Sequence, residues 1–252
     1  MKKTILITGA TSGFGCAIAK KFAENEFDVI ITGRRNDRLK ELEKTLANHG
    51  ARVLALNFDV RIRAEVESSI KNLPAEWKEI DILVNNAGLA AGLSRIHEGD
   101  NEDWERMIDT NLKGLLYVTR AVAPLMTARN QGHIFNISSI AGKDIYENGN
   151  VYCATKSAVD ALSRAMRIDL LNHSIRVTNI APGMAETEFS IVRFKGDKEK
   201  ADAVYKGVHA LSAEDIADIV FFCATLPPHV CINDLAVTPT QQAGVGKVFK
   251  KA

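Results

Sequence analysis

The sequence predicts an α/β fold in which a single parallel sheet of seven strands carries helices on both faces. Three observations lead there. Short apolar runs alternate with helix-period segments along the whole chain, most of those runs are continuously apolar, and no repeat, linker or low-complexity stretch divides them. Continuous apolarity marks strands covered on both sides, which a parallel sheet needs because its crossovers place helices on either face. At 252 residues the chain reads as one domain, 1–252, long enough to bury a sizeable core.

The elements follow in order. TILIT (4–8) runs into a glycine-rich turn and a helical segment over 13–25. DVIIT (28–32) precedes a helix over 37–48, RVLALNF (52–58) one over 62–72, and DILVN (81–85) a long one over 103–128. HIFNIS (133–138) leads to 151–172, IRVTNI (175–180) to 213–226, and INDLAV (232–237) is the seventh strand. The helix at 213–226 opens with SAED, placing Ser212 and Asp215 at capping-box spacing. MAETEFSIVRFKGDKEK (184–200) breaks the rhythm, being charged and without clear periodicity. An insertion of this kind in a compact domain is more often functional than idle, so a substrate lid is expected at about 184–210.

Composition narrows the function classes. With 46% apolar and 25% charged residues and a formal net charge of +1, nothing calls for a nucleic-acid or membrane-surface partner. Two lysines precede an apolar run at the N-terminus, but that run is only Ile5–Ile7 before Thr8 and Gly9 break it, so no signal peptide is expected. No apolar stretch approaches a membrane span. The four cysteines (Cys16, Cys153, Cys223 and Cys231) show neither CxxC nor Cys/His metal spacing, so free thiols, a cytoplasmic setting and no metal are expected. Cys153 has no basic partner in the local sequence and reads as a small packing residue.

Two features carry chemistry. The first strand enters TGATSGFG, with Gly9, Gly13 and Gly15, and with Thr11, Ser12 and Phe14 on the same turn, ahead of a helix. Glycine permits the tight turn and the approach of a pyrophosphate, and the helix N-terminus offers free N–H groups. At the end of the second strand, about twenty residues on, an NAD-binding chain usually carries an acid for the ribose 2′-hydroxyl. Here TGRRND supplies Arg34 and Arg35, which suit a 2′-phosphate and favour NADP over NAD, with Asp37 belonging to the following helix. The second feature is Tyr152 and Lys156, one helical turn apart. A free phenol, with pKa near ~10, is a poor base at neutral pH, and a nearby ammonium favours its ionised form.

With these motifs, and with DV at 59–60, NNAG at 85–88, DTNLKG around Asn111, ISS at 137–139, YCATK and PGMAET at 182–187, the chain resembles the short-chain dehydrogenase/reductase family over essentially its whole length. The resemblance implies a Rossmann-type sheet of seven strands and a hydride-transferring enzyme. It also implies roles. Gly9, Gly13 and Gly15 would form the pyrophosphate loop, Asp59 with Val60 would meet the adenine, and Asn86, Ala87 and Gly88 would flank the adenosine ribose. Pro182, Gly183 and Thr187 would receive the nicotinamide. Asn111, Ser139, Tyr152 and Lys156 would be catalytic, with Asn111 holding a water that links Lys156 to solvent. The resemblance also implies Ser139 rather than Ser138, since the family's spacing from serine to tyrosine is thirteen residues.

TEFSIVRFKGD (187–197) and ATLPPHVCINDLAVTPTQQ (224–242) are similar to a narrower group, the NADP-dependent 3-hydroxy acid dehydrogenases, which act on L-serine, L-allo-threonine and related acids. A substrate carboxylate would want a cation, for which Arg193 is the first candidate and Lys195 the second. Family analogy implies a homotetramer built on the helices at 103–128 and 151–172. The competing readings are a 3-oxoacyl carrier-protein or general carbonyl reductase, docking through Arg120 and Arg129, and an NADP-binding redox sensor. Sensors of this fold typically lose the tyrosine or the lysine, and this chain keeps both.

Overall fold

The computed structural model describes residues 2–251. Seven parallel strands make the sheet: β1 (Thr4–Ile7), β2 (Asp28–Gly33), β3 (Val53–Asn57), β4 (Ile80–Asn85), β5 (Gly132–Ile137), β6 (Ile175–Pro182) and β7 (Asp234–Val237). Their order across the sheet is β3-β2-β1-β4-β5-β6-β7. The chain winds outward from β1 to β3 and then returns to place β4 on the other side of β1, with Ile5 beside both Val29 and Ile82. Strand order therefore reverses between β1 and β4, and the loops at their carboxyl ends part to leave a crevice.

Both faces of the sheet are covered, as the continuous apolar runs require. Ile5, Ile7, Val29, Ile31 and Val84 point to one side and pack on α1 (Gly13–Glu24), α2 (Asn36–Ala47) and α9 (Ala213–Thr225). The alternate residues Leu6, Ile30, Leu83, Ile134 and Val177 point to the other. There they meet α3 (Arg63–Lys71), α5 (Leu115–Thr127) and α6 (Asn150–Asp169). The edge strands β3 and β7 are only partly buried. Ser212 and Asp215 form the capping box expected at the start of α9, each side chain bonded to the other's main-chain N–H.

Three elements differ from the sequence expectation. The helix expected over 103–128 is two helices, α4 (Asn101–Ile108) and α5, joined by a π turn at Asp109–Gly114. The apolar pattern runs on through that turn, so periodicity does not reveal it. The aperiodic segment 184–200 contains α7 (Phe189–Arg193) and the first residues of α8 (Lys198–Tyr205), both too short to show a helical stripe. Beyond β7 the chain forms an antiparallel hairpin, β8 (Gln242–Gly244) and β9 (Lys247–Val248), turning at Gly246 with φ +73°. Its polar residues tie it to the lid. Gln241 Nε2 donates to the carbonyls of Gly207 and Phe249, each at 2.9 Å, and Gln242 Oε1 accepts from Met184 N at 2.7 Å. Among the described residues no helix is long and apolar enough to cross a membrane.

Candidate active site

The turn after β1 is built around missing side chains. Gly9 and Gly13 have φ of +66° and +50°, the left-handed region that favours glycine. A Cβ at Gly15 would stand 2.5 Å from both the Gly9 carbonyl and Asn86 Nδ2, so α1 starts this close to the turn only with glycine there. Asn86 braces the turn from below, donating to the carbonyls of Thr8 at 2.8 Å and Gly9 at 3.2 Å. Thr8 Oγ1 accepts from the main-chain N–H of Asn86 and of Ala87, each at 3.0 Å. The Asn86 amide nitrogen is thus spent on the loop, although the residue lines the cavity beside it.

At the end of β2, Arg35 folds back onto the glycine turn. Its Nε donates to Thr11 Oγ1 at 3.1 Å and its Nη2 to Ser12 Oγ at 2.8 Å. Its Nη1 meets Glu188 at 2.9 Å, and Arg38, one turn into α2, meets the same carboxylate at 2.6 Å. Arg34 lies 3.6 Å from Asp59, whose main partner is Arg61 at 2.6 Å. Burial pushes the Asp59 carboxyl up, but the Arg61 hydrogen bonds and the Arg34 charge outweigh it and hold the group below its ordinary value.

Opposite, the first turns of α6 carry Tyr152 and Lys156, both buried. Lys156 Nζ donates to the Ile137 carbonyl at 2.9 Å and stands 6.0 Å from the centre of the Tyr152 ring. Among the described residues no acid pairs with it, and burial lowers it from 10.5 to about 8. Burial raises Tyr152, opposed by a hydrogen bond with Ser139 and by the charge of Arg193. Ser139 also reaches the Pro182 carbonyl at 3.4 Å. The neighbouring Ser138 is buried and donates to the Lys156 carbonyl at 3.2 Å, holding α6 to β5. A Cβ at Gly88 would sit 3.3 Å from Lys156 Nζ and 3.3 Å from Asn111 Oδ1, so glycine there gives the amine its room.

Asn111, in the π turn, is held by the segment after β4 and by α6. Its Oδ1 accepts from Leu89 N at 2.8 Å, and its Nδ2 donates to Leu89 O at 2.8 Å and to Thr155 Oγ1 at 3.1 Å. The side chain fixes the segment after β4 against α6.

These groups surround one cavity of ≈ 670 Å³. It is lined by Gly9, Thr11, Ser12, Gly13, Phe14, Arg34, Arg35, Asp59, Val60, Asn86, Ala87 and Gly88, together with Ser139, Tyr152, Lys156, Pro182, Gly183, Thr187 and Arg193. Gly15 and Asn111 lie behind its wall. The lid closes one side, and Thr187 packs against Gly13, its Cβ being 3.5 Å from where a Gly13 Cβ would stand.

Arg193, at the end of α7, lies 5.7 Å from the centre of the Tyr152 ring and 5.3 Å from that of Tyr146, and it donates to the Tyr146 hydroxyl. Its Nε is buried without a partner. Tyr146 was not legible as a site residue, since it precedes α6 in a segment with no pattern. Arg38 and Glu188 were likewise missed, although Arg38 stands one turn after Arg35. Lys195 is not a pocket cation: its ammonium pairs with Asp103 at 2.9 Å and Asp100 at 3.3 Å, at the start of α4. Arg129 is also elsewhere, donating to the Ile80 carbonyl at 2.7 Å and pairing with Asp81 at the amino end of β4. Cys153 is buried in the packing around Tyr152. Among the described residues no three His, Cys, Asp or Glu side chains are grouped to hold a metal ion.

Comparison with known proteins agrees with this architecture. The family model for short chain dehydrogenases matches residues 3–198. The chain is 53% identical over 243 residues to the NADP-dependent 3-hydroxy acid dehydrogenase YdfG of Salmonella typhimurium, covering 96% of this chain and 97% of the relative. It is 51% identical, over the same shares, to the protein of that name from Escherichia coli K12. A closed form of serine dehydrogenase complexed with NADP⁺ superposes with a TM-score of 0.93 at 49% identity, covering 99% of this chain and 100% of that one. The chain belongs to the short-chain dehydrogenase family.

Proposed function

We propose that the protein is an NADP-dependent oxidoreductase that exchanges a hydride between the nicotinamide and the hydroxyl-bearing carbon of a 3-hydroxy acid, of the class of L-allo-threonine, L-serine and 3-hydroxypropionate. The observation that carries this reading is the set of half-buried Ser139 and buried Tyr152 and Lys156, which line one cavity with the glycine turn and Arg35. The residues fit a dinucleotide: the left-handed backbone at Gly9 and Gly13 and the close approach of α1 at Gly15 build a turn open to a pyrophosphate, and Arg34 and Arg35 line the same cavity. When bound, the cofactor supplies the hydride acceptor or donor and, oxidised, a positive charge beside the phenol.

The chain's own residues handle the proton and the orientation. Tyr152 takes the proton from the substrate hydroxyl in oxidation and returns it in reduction. Its burial opposes ionisation, which the Ser139 hydrogen bond and the Arg193 charge counter, and the ammonium of Lys156 one turn away is assigned the same role of favouring the phenolate. Ser139 holds the substrate oxygen against Tyr152. Asn111 is a positioning residue that fixes Leu89 and Thr155.

Arg193 receives the substrate carboxylate, with its unpartnered Nε–H as the available donor. Arg193→Ala is expected to raise KM for L-allo-threonine by at least about tenfold, the usual cost of a charge-assisted hydrogen bond. A KM that does not change rejects the assignment. Arg129 is spent at the amino end of β4, which counts against a carrier-protein docking patch there. The protein works in the cytoplasm as a homotetramer on this reading, and the exposed Leu116 on α5 and Ile168 on α6 are apolar side chains such an assembly would cover.

A further inference from the structure

The rim of the cavity carries an anion of the chain's own at the place where the proposed function needs the cofactor's. Glu188, immediately before α7, reaches from the lid across to the loop after β2. One of its oxygens accepts from Arg35 Nη1 at 2.9 Å and the other from Arg38 Nη1 at 2.6 Å. The Nε and Nη2 donors of Arg35 go to Thr11 and Ser12, so the Glu188 carboxylate is met by Nη1, the nitrogen not bonded to the glycine turn. The side chains of Arg35, Arg38 and Glu188 are 42%, 46% and 45% exposed, so no demand of the core explains the cluster. Glu188 makes no side-chain cap for α7. A carboxylate and a phosphate compete for the same guanidinium N–H groups.

We propose that Glu188 is a cofactor-specificity residue, an internal competitor that occupies Arg35 and Arg38 until a nucleotide 2′-phosphate displaces it, with Arg38 a second arginine to that phosphate. The proposal rests on the NADP reading above. A phosphate ester carries between one and two negative charges at neutral pH and three acceptor oxygens, and displaces a single carboxylate from the pair. A nucleotide with a 2′-hydroxyl brings no anion to this point and leaves Glu188 in place. Glu188 therefore lowers NADP affinity without touching NAD affinity, and its release frees the rim end of α7, whose other end carries Arg193 over Tyr152.

The test is calorimetric titration of wild type, Glu188→Gln, Glu188→Ala, Arg38→Ala and Arg35→Ala with NADP⁺, NAD⁺ and adenosine 2′,5′-bisphosphate. Two half-exposed ion pairs are relieved, so both Glu188 variants are expected to bind NADP⁺ and the bisphosphate roughly two- to tenfold more tightly. NAD⁺ binding stays unchanged, and Arg38→Ala weakens NADP⁺ alone. A general electrostatic effect would tighten NAD⁺ equally through its pyrophosphate, and that result overturns the proposal. So does NADP⁺ binding that is unchanged or weaker in the Glu188 variants while Arg35→Ala still reduces it, an outcome that leaves the NADP reading standing. If Arg35→Ala leaves the preference for NADP⁺ over NAD⁺ intact, that reading falls first and the proposal with it.

Discussion

Lys156 should cost the fold stability that the reaction needs. Its ammonium is buried with one main-chain carbonyl, that of Ile137, as its partner and no carboxylate beside it. Its pKa falls from 10.5 unfolded to about 8 folded. For a base depressed on folding, the penalty is fully present below the folded value, shrinks between pH 8 and 10.5, and vanishes above. At about 1.4 kcal/mol per pH unit the charged amine costs on the order of 3 kcal/mol at pH 7. Lys156→Met keeps an unbranched chain of similar length and removes the charge, but strands the Ile137 carbonyl, which costs about 1 kcal/mol. The variant is therefore expected to be more stable by about 2 kcal/mol at pH 7, a rise in Tm of about 4–8 °C for a chain of this size. Turnover should fall by orders of magnitude. Paired thermal melts of wild type and variant at pH 7 and pH 10 check it, and the stability gap should close at the higher pH. A variant that melts below wild type at pH 7, or a gap independent of pH, would refute the description of Lys156 as a strained, unpaired charge.

Two further expectations follow from neighbouring groups. Ser139→Ala should lower kcat by about a hundredfold or more, as loss of a positioned hydroxyl at the reacting oxygen does, while Ser138→Ala should cost about 1 kcal/mol of stability with kcat nearly unchanged. Equal losses of kcat in the two variants would contradict their different placements. His133 is buried between Phe135 and Thr178, and burial, helped by the nearby Arg176 charge, lowers it from 6.5 to about 3. Its stability contribution is therefore intact above pH 6.5 and lost as pH falls toward 3, amounting to about 2 kcal/mol by pH 5. Unfolding free energies from urea melts of wild type and His133→Gln should shift relative to each other by that amount between pH 7 and pH 5, wild type losing stability, and parallel curves would show that the imidazole does not titrate as described.

What could be read from sequence was what burial writes into it. The seven strands were legible because their residues face helices on both sides, and the glycine turn because conformation and close approach leave no other residue there. Tyr152, Lys156 and Ser139 were legible from their spacing within known motifs. The rest depends on contacts between distant segments. The hairpin at β8 and β9 pairs through Gln241 and Gln242 with the lid, a partnership that local pattern does not encode. The π turn adds no break in apolarity, and the Asn111 amide is captured by Leu89, a residue 22 positions away. Lys195 and Arg193 are two residues apart and equally basic. Only the fold sends one to Asp103 and the other over Tyr152.

The central claim, hydride exchange between NADP and a 3-hydroxy acid at Tyr152 and Lys156, meets its most direct test in nicotinamide absorbance. The purified protein would be assayed with NADP⁺ and NAD⁺ separately, against L-allo-threonine, L-serine, 3-hydroxyisobutyrate and a plain secondary alcohol. The account predicts strong turnover of the hydroxy acids with NADP⁺ and little with NAD⁺. Turnover of the plain alcohol alone would contradict the substrate class, and silence across the panel in a protein that still binds NADP⁺ would contradict the enzyme.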